Sequence, residues 1–328
     1  MNIYLTFDYE LYFGDNPGTV KQCLLQPTKH LLEISQFHGI NMTYFVDSGY
    51  LVKLKEYAST YPELWKDYDL IVEQLKLLVR FGNDVQLHIH PHWEKSTYDG
   101  KKWHLATKEH YRFSSFSEPE RLEIFEKYIT ELESIIGYNI TAFRAGGWCI
   151  QPTKDFLASF KKFGIKIDSS VFPKNQINTE PYHIDFKNTP DKAWWRFSTD
   201  VAIEDVHGEF LEYPTSIYNY SPLFFWKLYI LGRLFPKAHK PIGDGNFLPM
   251  KGRKKESLLH GITHIVSADG YLSSKLNTAL KSTMFSQKGE MVVLSHPKSM
   301  TNYSVRKLDS FIAKHVRKHK FVVFKNIL

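Results

Sequence analysis

The chain has 328 residues, of which 43% are apolar and 15% aromatic, and its formal net charge is +7 at pH 7. This composition fits a globular protein of one large or two medium domains, and the positive charge suits an acidic substrate, a phosphate-bearing carrier or an anionic membrane surface. Only two cysteines are present, with no arginine-rich arm and no zinc-finger spacing, so we exclude a disulfide framework and a nucleic-acid partner.

The N-terminal segment, M-N-I-Y-L-T-F-D, lacks the charged and apolar regions of a signal peptide, so we expect a cytoplasmic protein. No apolar run is long enough for a transmembrane helix. Residues 2–7 predict a strand, and the acids Asp8 and Glu10 follow at its end. Positions 8 and 10 of an extended strand point to the same side, so both acids can face one site.

Helices and strands then alternate through the first half of the chain. Apolar residues at helical spacing predict the helices, and short apolar runs predict the strands. This alternation favours a parallel α/β sheet or barrel. We predict helices at 27–38, 64–81, 117–136 and 152–163, and strands at 41–46, 85–87, 142–144 and 165–167.

Three histidines follow the strand at 85–87, in the sequence D-V-Q-L-H-I-H-P-H-W. Neutral imidazole is the commonest protein ligand for zinc and similar metals. On a continuous strand His88 and His92 would lie about 13 Å apart, so they can share an ion only if the chain turns near Pro91. The stretch therefore predicts a metal site that takes a carboxylate from elsewhere. The alternative is a surface loop that happens to be rich in histidine.

The pattern changes after residue 171, where helical periodicity fades and short β-like pieces appear at 194–197 and 210–213. The segment 221–235 is the most hydrophobic of the chain. As a helix it could lie flat on a membrane interface or pack against the core. We predict one domain, 1–328, with an insertion at 172–290. Further helices are predicted at 253–259, 271–285 and 304–316, and further strands at 291–294 and 321–324.

Polar residues stand at the end of each main predicted strand, and Arg144, Asp168 and His296 extend the series begun by the acids and the histidines. In parallel α/β folds, catalytic residues gather at the carboxyl ends of the strands. Two histidines and a carboxylate leave a metal with one open position for water, whose pKa the metal lowers. A second carboxylate can serve as general base, and a separate histidine can protonate the leaving group. The set predicts metal-assisted hydrolysis.

The order of these motifs resembles the polysaccharide deacetylase (NodB-homology) family, carbohydrate esterase family 4. The resemblance implies an irregular (β/α) barrel of about seven strands, a divalent metal that is usually zinc, and removal of an acetyl group from an N-acetylated sugar. The matching motifs are T-F-D-Y-E at 6–10, H-I-H-P-H at 88–92, R-A-G-G-W at 144–148, D-S-S-V at 168–171 and L-S-H-P at 294–297.

The resemblance also implies catalytic roles for individual residues. Asp8 matches the catalytic base, and Arg144 matches the residue that holds this base in place. His296 matches the general acid, and Asp168 matches the acidic position that orients it.

The metal ligands implied by the resemblance are His88 and His92. The family's usual second aspartate of the first motif is Tyr9 here, so Glu10 is the expected carboxylate ligand. The proline of the third motif is missing, and Ala145-Gly146-Gly147 stands in its place. The residues expected to contact the substrate are His90, Trp93, Tyr9 and Trp148.

Family members that trim cell-wall polymers are generally exported. A cytoplasmic member is therefore expected to act on a sugar nucleotide, a lipid-linked sugar or an oligosaccharide in surface-polysaccharide biosynthesis. Two alternatives remain: a hydrolase of a non-sugar C–N bond on the same scaffold, and a carbohydrate-binding relative without catalysis. A peripheral contact with the inner membrane would suit the segment 221–235 and the basic residues after it, which are Lys237, Lys240, Lys251, Arg253, Lys254 and Lys255.

Overall fold

A computed structural model describes residues 1–248 and 253–327, so Lys251 and the side chain of Arg253 lie outside the description. The strands are β1 (Asn2–Tyr9), β2 (Thr43–Asp47), β3 (Asp84–Ile89), β4 (Thr97–Tyr98), β5 (Trp103–His104), β6 (Ala142–Ala145), β7 (Ile167–Asp168), β8 (Gln176–Thr179), β9 (Tyr182–Asp185), β10 (Trp195–Phe197), β11 (Phe210–Glu212), β12 (Ile217–Tyr220), β13 (Ile262–Ile265), β14 (Glu290–Ser295) and β15 (Lys320–Phe321). The α-helices are α1 (Gln26–His38), α2 (Ser48–Ala58), α3 (Leu64–Arg80), α4 (Glu118–Ile136), α5 (Lys154–Phe163), α6 (Pro222–Leu234), α7 (Pro236–His239), α8 (Arg253–Leu259), α9 (Leu276–Phe285) and α10 (Asn302–His315).

The chain divides into two compact units, and the first comprises Met1–Met42 with Thr215–Val323. Its strand β1 pairs in parallel with β14, in a register that places Phe7 opposite Ser295, and β15 pairs in parallel with the start of β1. Both β1 and β14 are buried along almost their whole length. Such continuous burial is typical of parallel strands that are covered on both faces. The carboxyl ends of β1 and β14 therefore lie side by side.

The second unit comprises Thr43–Pro214 with Phe324–Leu328. Its sheet has the order β10-β11-β7-β6-β3-β2, and every pair is parallel except β10 with β11. From β2 to β7 the strands follow chain order, because helices connect successive parallel strands. The register places Asp47 opposite His88 and His88 opposite Arg144. These three residues form one row at the carboxyl ends of the strands.

Helix α4 shows how local sequence sets the helix boundaries. The backbone N–H of Ser117 donates to Oε2 of Glu120 at 2.8 Å, and the two residues form a capping box at the start of the helix. Gly137 follows the last turn with φ 77°, a left-handed conformation that glycine adopts without strain. The predicted helix at 117–136 is confirmed.

Several observed elements differ from the prediction, and β12, β13 and α7 were not predicted at all. Helix α2 was not predicted, because it begins at Ser48 directly after β2 and leaves no loop between the two patterns. The segment after the histidines, for which no strand was predicted, contains the short antiparallel pair of β4 and β5. The predicted last strand is only β15, and a 3-10 turn at Phe324–Asn326 follows it. The single domain and the insertion at 172–290 remain predictions.

Candidate active site

In the first unit, an imidazole and two carboxylates meet beyond the ends of β1 and β14. Asp8 lies near the end of β1, and His296 follows the last residue of β14. The Nε2 atom of His296 is 3.8 Å from Oδ2 of Asp8 and 3.8 Å from Oε1 of Glu10. Asp8 and Glu10 are both almost fully buried. The structure thus groups a candidate base, a candidate acid and a candidate metal ligand within one unit.

His296 is held by Asp269, a residue that the sequence analysis did not select. Oδ2 of Asp269 lies 2.8 Å from Nδ1 of His296, and Oδ1 accepts the backbone N–H of His296 at 2.8 Å. An ionised carboxylate can only accept, so Nδ1 carries a hydrogen and Nε2 faces Asp8 and Glu10. The prediction that Asp168 orients His296 is corrected, because Asp269 occupies the single donor at Nδ1.

Asp269 owes its position to the segment that follows β13. The backbone N–H of Ala268 donates to Oγ of Ser295 at 2.8 Å, and that of Leu294 donates to the Val266 carbonyl at 3.1 Å. These bonds hold the segment against the end of β14, next to His296. The strand-like run I-T-H-I-V, with an acid three residues after it, was the sequence signal that could have revealed Asp269.

The electrostatic surroundings of His296 favour its protonated form. Burial alone would lower the pKa of this imidazole, but the adjacent Asp269 carboxylate, helped by Asp8 and Glu10, raises the pKa above its ordinary value. The protonated imidazole therefore persists to a higher pH than a free histidine. This property suits a group that must give up a proton near neutrality.

Lys298 is a second residue of this group that the sequence analysis missed. Its Nζ donates to Oε1 of Glu10 at 2.8 Å and to the Leu11 carbonyl at 2.6 Å. The ammonium also lies 4.9 Å from the ring centroid of Tyr12 and 4.8 Å from that of Phe13. A buried ammonium requires such partners, because desolvation would otherwise make it very unfavourable. Lys298 therefore fixes one carboxylate oxygen of Glu10.

In the second unit, the three histidines lie where β3 gives way to a turn. The strand ends at Ile89, and a 3-10 turn runs over Pro91–Lys95, so the chain turns as the metal interpretation requires. The ring centroids of His88 and His90 are 4.9 Å apart, and those of His90 and His92 are 5.6 Å apart. One ring nitrogen of His88 lies within 4.8 Å of one of His90. His90 is therefore the histidine whose ring lies close to the rings of both others.

The hydrogen bond of His88 fixes its tautomer. Nδ1 of His88 lies 2.8 Å from the backbone carbonyl oxygen of Arg144. A carbonyl oxygen can only accept, so Nδ1 carries the hydrogen and Nε2 presents its lone pair. Such a bond orients many metal-binding histidines.

His90 occupies space that only a glycine at position 146 leaves open. A Cβ atom at Gly146 would lie 2.5 Å from Nδ1 of His90, closer than any side chain permits. The backbone N–H of His90 donates to Oδ1 of Asp47 at 3.3 Å. The position of the His90 ring therefore depends on glycine at position 146.

Arg144 is held rigidly by the turn that follows β7. Its Nε donates to the Ser169 carbonyl and its Nη2 to Oγ of Ser169, each at 2.9 Å. The guanidinium carbon lies 4.1 Å from the ring centroid of Phe45. Asp168 accepts from Oγ of Ser170 at 2.6 Å and from the Ser170 backbone N–H at 3.1 Å. Asp168 therefore shapes the turn that holds Arg144.

Glu212 lies opposite Asp168 in the pairing of β11 with β7, and the sequence analysis did not select it. Oε1 accepts the backbone N–H of Val171 at 3.0 Å, while Oε2 is buried close to the Asp168 carboxyl group. Burial, reinforced by the nearby Asp168 charge, raises the pKa of Glu212 well above its ordinary value. The neutral, protonated form of Glu212 is therefore favoured over the charged form.

The residues predicted to contact the substrate have different surroundings. Trp93 is 0% exposed and its Nε1 donates to Oδ2 of Asp47 at 2.7 Å, so the prediction that it binds substrate is wrong. The side chain of Tyr9 is also buried, so the backbone N–H of Tyr9 is its remaining candidate group for a contact with the substrate. Trp148 is half-buried, packs on Phe172 at 5.1 Å between ring centroids and has a φ of 62°. Trp148 remains a candidate substrate contact.

No protein-family model and no curated protein matches the sequence. Among solved structures, the chain is similar to a Mycobacterium smegmatis protein provisionally described as a polysaccharide deacetylase, with 15% identity and a TM-score of 0.52 over 99% of this chain and 88% of that one. It is also similar to a carbohydrate esterase family 4 pseudoenzyme from Bacillus anthracis (12% identity, TM-score 0.41, 97% of this chain and 62% of that one). The catalytic domain of a peptidoglycan N-acetylglucosamine deacetylase from Eubacterium rectale gives 14% identity and a TM-score of 0.42 over 99% of this chain and 89% of that one.

The first of these similarities, which covers almost the whole of both chains, establishes the fold. The predicted irregular (β/α) barrel of the polysaccharide deacetylase type is confirmed. The resemblance inferred from the motifs is thereby confirmed at the level of the fold.

Proposed function

We propose that the chain is a metal-dependent hydrolase that removes an N-acetyl group from a sugar in surface-polysaccharide biosynthesis. The observation that carries the proposal is the grouping of Asp8, His296 and Asp269. An imidazole whose Nδ1 is held by one carboxylate, and whose Nε2 faces a second carboxylate, is suited to general acid–base chemistry. A protein that only binds carbohydrate has no use for this arrangement.

The residues that would hold the metal fit a divalent ion such as zinc. Imidazole and carboxylate are its usual ligands, and a three-residue set leaves a position for water. We propose His88, His90 and Glu10 as the ligands. His88 has the required tautomer, and Gly146 gives His90 its space. The set predicted from the motifs, with His92 in place of His90, is the alternative.

The proposed reaction is hydrolysis of an acetamide. When bound, the ion would polarise the acetyl carbonyl and make the attacking water more acidic. Asp8 accepts one proton of this water as its oxygen bonds to the acetyl carbon. Nε2 of His296 gives its proton to the sugar nitrogen as the C–N bond breaks, and acetate and a free amine leave. Asp269 stabilises the positive imidazole before the transfer and keeps hold of Nδ1–H once the imidazole is neutral.

Two further groups support these steps in the proposal. Arg144 holds Asp8 in place, and its own position is set by Ser169 and Phe45. The backbone N–H of Tyr9 stabilises the negative charge that develops on the acetyl oxygen, as an oxyanion hole does.

The proposed substrates are N-acetylated sugars carried on a nucleotide, a lipid or a short glycan in the cytoplasm. The positive net charge favours substrates that bear phosphate. A lipid-linked substrate would bring the chain to the inner membrane surface.

The test combines metal analysis of the purified chain with a screen for acetate release from sugar nucleotides and lipid-linked N-acetyl sugars. We expect about one divalent ion per chain and acetate release that His296→Asn abolishes without loss of the ion. His88→Ala should lose the ion, whereas the comparison of His90→Ala with His92→Ala identifies the second imidazole ligand. A wild-type chain that binds metal but releases no acetate from any N-acetyl sugar would contradict the proposal.

Each alternative function gives a different result in this screen. A hydrolase of another C–N bond would release an amine from a non-sugar amide without acetate from any sugar. A carbohydrate-binding relative would bind sugar with no ion and no release. The similarity to a family 4 pseudoenzyme makes this second outcome a necessary control.

A further inference from the structure

Helix α6 packs on the first unit through one side, and at its edge Nε1 of Trp226 donates to the Leu258 carbonyl of α8 at 3.2 Å. Phe224 and Phe225 pack with Tyr220 in an apolar cluster at the start of the helix. The opposite side of α6 faces outwards, yet it is apolar rather than polar. Its outward residues, here called the apolar stripe, are Leu223, Trp226, Ile230 and Leu234, which are 63%, 51%, 49% and 66% exposed.

Basic residues border the apolar stripe on both sides. At about 100° per residue the stripe spans about 80° of the helix surface. Lys227 lies about 40° from Leu223 on one side and Arg233 about 80° from it on the other, and both are exposed. In a helix that lies in a membrane interface, apolar side chains enter the acyl boundary while flanking lysine and arginine side chains reach the phosphates.

The charge around the helix has one sign over a long stretch. Residues 213–243 contain no aspartate or glutamate, and they include Lys237 and Lys240 as well as the two flanking bases. Lys254 of α8 belongs to the same neighbourhood, because its Nζ lies 4.8 Å from the ring centroid of Tyr229 on α6. This charge is complementary to anionic lipid headgroups, which attract each nearby basic residue.

We propose that the apolar stripe of α6, with Lys227 and Arg233, is a peripheral binding site for an anionic lipid bilayer. None of the helices within 1–248 and 253–327 is long and apolar enough to cross a membrane. A second copy of the chain fits this face less well, because a symmetric contact would bring Lys227 and Arg233 of both copies together. The inference does not rest on the proposed reaction.

The test is flotation of the full chain with vesicles of phosphatidylcholine, alone or mixed with phosphatidylglycerol. We expect the chain to float with the mixed vesicles at low salt, and to float far less with the neutral ones. The paired substitution Ile230→Gln with Leu234→Gln should weaken binding at least about tenfold, and so should Lys227→Glu with Arg233→Glu. The matched control is Phe285→Gln, because Phe285 is 91% exposed on α9, outside the stripe, and its loss should leave binding unchanged.

Failure of the wild-type chain to float with mixed vesicles would overturn the proposal. Equal binding by the two paired variants and the wild type would overturn it too, as would equal flotation with neutral vesicles. Self-association that the same variants abolish, without flotation, would show that a second copy covers the stripe instead. Since the substituted side chains are exposed, we expect unchanged melting temperatures, and either paired variant alone suffices for the test.

Discussion

The ammonium of Lys298 lies 2.8 Å from Oε1 of Glu10, and both side chains are buried within the first unit. A lysine in this position provides a fixed positive charge beside the carboxylate that we propose as a metal ligand. If a metal ion also binds Glu10, the ion and the lysine stabilise the same negative charge. The two cations are therefore thermodynamically coupled through Glu10.

Replacement of Lys298 by methionine tests this coupling. Lys298→Met leaves the buried Glu10 charge without its partner, so the free energy of unfolding without metal should fall by about 3 kcal/mol. Added Zn²⁺ should then raise the melting temperature of the variant by more than that of the wild type, because the ion replaces the lost charge. The measurement is thermal unfolding with and without Zn²⁺.

The matched control for this variant is Lys53→Met, since Lys53 is also buried and its Nζ lies 2.8 Å from Oε2 of Glu56. This variant should show the same response to Zn²⁺ as the wild type. An equal response from Lys298→Met would mean that Glu10 is not a ligand.

Loss of the hydrogen bond between Asp269 and His296 should shift the pH dependence of kcat. His296 must be protonated to act as the acid, so activity is present below its raised pKa and is lost as the pH rises through that value. Asp269→Asn removes the main cause of the raised pKa, so the alkaline limb of kcat should move to lower pH. We also expect kcat to fall about 100-fold because the acid is no longer oriented.

The control for Asp269→Asn is Asp309→Asn, at another aspartate–histidine pair of the first unit. Oδ1 of Asp309 lies 2.7 Å from Nε2 of His38, outside the candidate site. Its pH profile should match the wild type. If Asp269→Asn kept the wild-type alkaline limb, His296 would not be the titrating acid.

Gly146 and His90 predict a steric effect on metal binding. In Gly146→Ala, the new methyl group would meet the His90 ring at 2.5 Å, so the ring must move. We expect the affinity for Zn²⁺ to fall at least about tenfold, as it does when groups that support ligands are lost. Titration with Zn²⁺ by calorimetry measures the change. In the control, Gly232→Ala on α6, a Cβ meets nothing within 4 Å, and Zn²⁺ affinity should not change.

Glu212 predicts a pH dependence of stability. Its folded-state pKa is raised well above the unfolded value of about 4.3. Its contribution to the free energy of unfolding therefore declines as the pH rises above the unfolded pKa, until the folded-state pKa is reached. Glu212→Gln removes this titration and keeps an acceptor for the Val171 N–H. Urea unfolding at about pH 5 and about pH 8 should show a smaller decline for the variant.

The control here is Glu209→Gln, because Glu209 is exposed and pairs with Lys166 at the surface. It should reproduce the wild-type difference between the two pH values. A raised pKa for Glu212 would be contradicted if the free energy of unfolding of Glu212→Gln fell as much between the two pH values as that of the wild type.

The residues at the ends of β1, β3, β6 and β14 could be found from the sequence, because chemistry in such folds gathers at the carboxyl ends of parallel strands. Each of them follows a short apolar run, so a local pattern marks it. The tautomer of His88 could not be found in this way. The tautomer depends on a hydrogen bond to the Arg144 carbonyl. Only the pairing register of β3 with β6 places that carbonyl beside His88.

Asp269 and Lys298 escaped prediction for different physical reasons. Asp269 acts through a tertiary contact with His296, and β13, the short strand before it, was not recognised. Lys298 carries a charge, and charged side chains are seldom fully buried unless paired. Only the structure shows that Glu10, Tyr12 and Phe13 surround it. For Trp93 the sequence predicted a substrate contact, whereas the side chain is buried and bonded to Asp47. This bond cannot be inferred from the place of Trp93 beside the histidines.

The division of the chain into two units has a consequence for protein synthesis. The second unit is nearly continuous in sequence, so the nascent chain can begin to form it while later residues are still on the ribosome. The first unit cannot fold at that stage, because β1 pairs with β14, which is synthesised much later than β1. His296 can therefore meet Asp8 only after β14 has been translated, and a chain released before that point would lack His296 while keeping the histidine cluster.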